Sequence, residues 1–142
     1  MADRGRMLAA MEKKGKGLTI AANVVAVLLG AMMCFSSTFK FTQHPDTVKI
    51  IHGVVGVPLS LFPVLGTLLV AGGIGLVVGI FKPKIGVAAA AGLVLYFTGA
   101  FIGHIRVGDF AGLKAPVVPF LLSVTALTLR VLSLRRQQQA LS

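Results

Sequence analysis

Apolar residues in this chain fall into four long blocks with short polar stretches between them, and no period-two alternation interrupts the blocks. The first runs from Leu18 to Phe39, about 22 residues without a charge. As a helix rising about 1.5 Å per residue, it is long enough to cross the roughly 30 Å hydrocarbon core of a bilayer. The second runs from Leu59 to Phe81, with Pro63 in its first turn, where a missing N–H is tolerated. The turn Lys82-Pro83-Lys84 is so short that the third block, Ile85 to Ile105, must return beside the second. The fourth is Ala115 to Leu134, with Pro116 and Pro119 near its start. The pattern predicts an all-α transmembrane four-helix bundle. A polar N-terminal segment (1–17) precedes the membrane domain (18–134), and a polar tail (135–142) follows it.

The stretch between the first two blocks also carries a pattern. Asp46, after Pro45, is placed to cap a short helix from Thr47 to Val57. On it Lys49, His52, Gly53 and Gly56 fall on one side, and Ile50, Ile51, Val54, Val55 and Val57 on the other. An irregular loop with some apolar residues is the alternative. The N-terminal end raises another alternative, since a basic stretch before an apolar run also describes a signal peptide. The first block exceeds a 7–15-residue signal core and no A-x-A site follows it, so it reads as a retained span.

Composition narrows the class further. The chain has 142 residues, 56% hydrophobic and 13% charged, too little polar surface to cover a water-soluble fold. The net charge of +10 does not point to nucleic acid, because the basic residues are not gathered on one face but sit at the ends of apolar blocks. Four spans put both termini and the Lys82–Lys84 turn on one side. That side holds nine basic residues, ten with Arg130, and the other holds Lys40, Lys49, Arg106 and Lys114. The positive-inside rule assigns the termini to the cytoplasm. The expected setting is the plasma membrane, read as a bacterial inner membrane, with anionic headgroups against the cytoplasmic side. A membrane-protein partner and a homo-oligomer are both left open.

Candidate chemistry is sparse. Cys34 is the sole cysteine and cannot form the pair that membrane thiol oxidoreductases use. No Asp or Glu lies inside a block, which argues against a proton-coupled exporter. Only His104 approaches a span as a haem ligand would need to. No catalytic residue, resident metal or cofactor is nominated, and the reading is non-enzymatic. Arg130, one turn inside the fourth block, is expected to snorkel to the headgroups. Small-x-x-x-small patterns at Gly75/Gly79 and Gly99/Gly103, with Gly72 and Gly92 on the same helices, predict close packing of the second and third spans. The remaining candidates map to the extracytoplasmic side: Lys40, His44, Asp46, His52, His104, Arg106 and Asp109. Their spacing matches no compact metal motif. Arg106 and Asp109 can pair if the third helix continues past Ile105.

From Phe35 to Arg130 the chain resembles the DoxX-like family of small membrane proteins. The resemblance rests on Phe39-Lys40 with His44-Pro45, on Gly56-Val-Pro58, and on Leu65-Gly66 with Ala71-Gly72-Gly73-Ile74-Gly75-Leu76. It continues through Lys82-Pro83-Lys84, Tyr96-Phe-Thr-Gly-Ala100 and His104-Ile-Arg-Val-Gly-Asp109. It implies a four-helix membrane fold whose relatives include accessory subunits of membrane redox complexes and an assembly chaperone. Many members carry a glutamate in the second span, where this chain has Leu69, a departure that counts against a proton or quinone role at that position. The expected function is an accessory or assembly partner of a larger membrane complex, with a membrane subunit of a quinone-linked redox complex as the alternative.

Overall fold

A computed structural model describes residues 2–142. Four long helices dominate it: α1 (Ala2–Phe41), α2 (Phe62–Val78), α3 (Pro83–Arg106) and α4 (Lys114–Leu141). All four are long and apolar enough to cross a membrane, counting for α2 the 3-10 turn Leu59–Leu61 that leads into it. No strand occurs among the described residues. Helix packing follows the chain: α1 packs on α2, α2 on α3, α3 on α4, and α4 closes back on α1. The result is a square ring in which each helix has two neighbours.

Each helix turns one stripe of residues into the ring. These are Ala22, Ala26, Leu29, Met33, Ser37 and Lys40 on α1, and Phe62, Gly66, Leu69, Gly73 and Leu76 on α2. On α3 the stripe is Gly86, Ala90, Leu93, Phe97 and His104, and on α4 it is Pro116, Ser123, Ala126, Arg130 and Ser133. The middle of every stripe is apolar or small, and the charged members stand only at the ends. Large apolar residues such as Leu28, Phe35, Leu68 and Leu95 remain exposed on the outside, where a soluble protein would place polar groups. In a bilayer they face lipid.

Glycines set how closely the helices approach. Cβ atoms built on Gly30 and Gly73 would lie 2.8 Å from each other's carbonyl oxygens, so α1 and α2 touch backbone to backbone. On the next side of α2, a Cβ at Gly75 would lie 2.7 Å from the Ala89 Cβ and one at Gly72 would lie 2.6 Å from Leu93. Gly79 meets the Gly86 backbone still more closely. Gly72 and Gly73, adjacent in the chain, point about 100° apart, near the right angle that a corner of a square ring requires.

The sequence expectation for the second and third spans is corrected in part. Gly72, Gly75 and Gly79 do face α3, but a Cβ at Gly92 or Gly99 would meet nothing within 4 Å. Gly92 instead lines an outward groove of about 490 Å³ with Leu68, Ala71 and Tyr96. Gly103 abuts Val55 of the connecting segment. The reason is angular: Gly99 and Gly103 are four apart and share a side of α3, but that side differs from the one bearing Gly86 and Ala89.

The polar segments are more ordered than their composition suggests. Residues 2–16 continue α1 as uninterrupted helix, so α1 has 40 residues and is about 60 Å long. The segment after α1 forms a turn of helix at Pro45–Thr47 and runs on as a π-helix at Val48–Val54. His44, not Asp46, occupies the N-cap, and no side chain caps it. Lys49 and His52 are exposed, while Val48, Ile51 and Val55 are half-buried, so the apolar side is narrower than expected.

Candidate functional site

At the end of the ring away from the termini, two ionisable side chains lie on inward stripes. Lys40 ends the α1 stripe with 9% of its surface exposed, and His104 ends the α3 stripe with 6%. The Lys40 Nζ donates a long hydrogen bond of 3.5 Å to the Ser36 hydroxyl, one turn earlier. It forms no ion pair among the described residues.

His104 is held by the loop that follows it. The α3 helix stops at Arg106, and Gly108 takes a φ of +72° that only glycine adopts cheaply. This reversal brings Asp109 back over the helix end. The Asp109 backbone N–H donates to the His104 carbonyl at 3.0 Å. Its carboxylate then bridges two partners: Oδ2 lies 2.9 Å from His104 Nδ1, and Oδ1 accepts the Gly112 N–H at 3.0 Å. A Cβ at Gly112 would run into both the carboxylate and the imidazole, so the loop closes only because residue 112 has no side chain. Asp109 therefore orients the imidazole and fixes which ring nitrogen faces it.

This staple replaces the pair expected between Arg106 and Asp109. The helix does not continue past Arg106, so the i, i+3 geometry never arises, and Arg106 is left exposed beside Val107 and Phe110. The other candidates lie apart from the staple. His44 Nδ1 is 3.9 Å from the Asp46 carboxylate, with both side chains well exposed, and its ring sits edge-on to Phe39. His52 Nδ1 lies 2.9 Å from the Val57 carbonyl, a contact that closes its own loop. No group of three His, Cys, Asp or Glu side chains converges among the described residues.

The sequence reading missed Gly112, Gly30, Gly73 and Gly86. Asp109-x-x-Gly112 did carry a signal, since an aspartate commonly accepts a nearby downstream backbone N–H in a turn. Arg130 also departs from expectation. It is 4% exposed and turned into the ring, with its Nε 3.4 Å from where a Gly86 Cβ would stand.

Four apolar helices in a ring, with ionisable groups confined to its two ends, define a multi-pass membrane protein. The family model described as the DoxX-like family matches residues 24–126. The chain belongs to the DoxX-like family. No curated protein and no solved structure matches it.

Proposed function

We propose that this protein is a non-enzymatic accessory or assembly partner of a larger membrane complex, engaged through the end that carries the His104–Asp109 staple. One observation carries the reading. The middle of the ring is filled: Leu29, Met33, Leu69 and Leu93 are at most 2% exposed and pack together with Ala90, Leu76 and Ala126. Such a core offers no route or chamber for a substrate between the two ends. A rigid loop presenting Arg106, Val107 and Phe110 outward is instead suited to contact, because little ordering cost remains to be met on binding. Leu69 fills the centre where a membrane-embedded acid would have to sit, and nothing in the site favours the quinone-linked alternative.

In this reading the protein lies in the plasma membrane with both termini in the cytoplasm, supported by the nine-to-four division of basic residues. The contact end then faces outward. The test replaces His104, Arg106 and Asp109 singly with Ala, then compares membrane abundance and recovery of co-purifying membrane proteins. Arg106→Ala is the decisive variant because its side chain is exposed and supports nothing in the fold. For Arg106→Ala, normal abundance with lost partner recovery is the expected result. Unchanged recovery in all three variants refutes the contact surface.

A further inference from the structure

The opposite end of the ring contains a buried charge without a counter-ion. Arg130 Nη2 is fully enclosed and has no hydrogen-bond partner among the described residues, and the same is true of the Asn23 Oδ1 on α1. The two residues share a level. The hydroxyls of Thr19 and Ser133 meet at 3.1 Å and fix the antiparallel register of α1 against α4. Asn23 is one turn further into the ring from Thr19, and Arg130 one turn further in from Ser133. An amide can take one guanidinium N–H, but it carries no charge. None of the four acids, Asp3, Glu12, Asp46 and Asp109, lies inside an apolar block. An arginine stays ionised, and an unpaired buried charge is strongly destabilising. No acid among the described residues supplies a counter-charge to this layer.

An opening lies just outside this layer and stops one turn short of it. Where α1 and α4 run on beyond the other helices they border an open cleft of about 1040 Å³, with Thr19 and Ser133 at its inner end. Leu8, Met11 and Ile20 give it an apolar wall. Its charged lining is Lys14, Lys16, Arg136 and Glu12, three cations against one acid. That acid is already paired with Lys16 at 2.9 Å. A basic mouth, an apolar wall, a hydroxyl pair and a guanidinium one turn deeper match an amphiphile with an anionic head. We propose that the α1–α4 cleft binds an anionic phospholipid, its phosphate seated at Ser133 with the Arg130 charge one turn deeper behind it. Asn23 and Arg130 lie just outside the 24–126 stretch that matches the family model.

The experiment is thermal unfolding of the purified full chain in mild detergent, with titrated phosphatidylglycerol, phosphatidylcholine or inorganic phosphate. Phosphatidylglycerol is expected to raise Tm saturably, and the other two are not. Arg130→Gln is expected to abolish that response while leaving the lipid-free Tm equal or higher, since it removes the unpaired charge. Lys16→Gln/Arg136→Gln, at the mouth of the cleft, is expected to weaken the apparent lipid affinity on the order of tenfold. An equal response to inorganic phosphate means a free-anion site and overturns the lipid assignment. An equal response to phosphatidylcholine, or an Arg130→Gln protein that still responds fully, overturns the role of charge. Should Arg130→Gln not fold, the double variant decides, and an undiminished response there refutes the proposal.

Discussion

A single carboxylate organises the His104 loop, so Asp109 is where the far end is most sensitive to substitution. Asp109→Ala removes two acceptor contacts at once and leaves the Gly112 N–H and the buried imidazole without their partner. A loss of about 1–3 kcal/mol in stability is expected, with faster amide exchange confined to residues 107–113. Gly112→Ala is expected to act alike, because the added methyl group displaces the carboxylate. Exchange unchanged in both variants would show that the staple does not hold the loop. The sequence made His104, Arg106 and Asp109 legible as one group but mispaired them. Helical spacing favoured Arg106 with Asp109, whereas the positive φ at Gly108 reverses the chain and hands Asp109 to His104. Arg130 was misplaced for a related reason: snorkelling is a habit of arginines near helix ends, and only Gly86 on a neighbouring helix shows that there is room for one to turn inward.

Among the helices, apolar block length was a reliable guide to which segments are helical, and it was a poor guide to where they stop. The blocks mark what lipid must cover, whereas helix persists wherever caps or breakers do not end it. Residues 2–16 and 135–141 contain no proline to break them, so α1 and α4 outrun their apolar blocks. Packing faces were half legible. A small-x-x-x-small pattern says that backbones can approach, and leaves open which neighbour they meet. Gly86→Ala sets a methyl group against the Gly79 backbone of α2, an overpacking that is expected to cost about 1–3 kcal/mol. Gly99→Ala meets open space and is expected to raise stability by about 0.5–1 kcal/mol through helix propensity. Thermal unfolding of both variants in detergent checks the pair. A Gly99→Ala protein less stable than Gly86→Ala would place the tight seam on the wrong side of α3.

For the molecule as a whole, an even number of spans makes topology a single question. Reporter fusions after Gln139 and within Lys82–Lys84 are expected to read cytoplasm, and fusions near His44 or Gly112 the outside. A C-terminal fusion reading outside would contradict the positive-inside assignment of the proposed function. The closure of the ring between its first and last helices carries a consequence for biogenesis. As the chain emerges during synthesis, α1 and α2 can zip together at Gly30 and Gly73, and α2 and α3 at Gly79 and Gly86. Both seams can form before α4 has left the ribosome. The three-helix intermediate is an open trough with one side of α1 and one side of α3 still bare, and only α4 completes it. Arg130, near the end of the last span, therefore enters its buried position in the final step of assembly. A nascent chain stalled short of α4 would hold two finished seams and an uncovered core, the state in which quality-control proteases find it most easily.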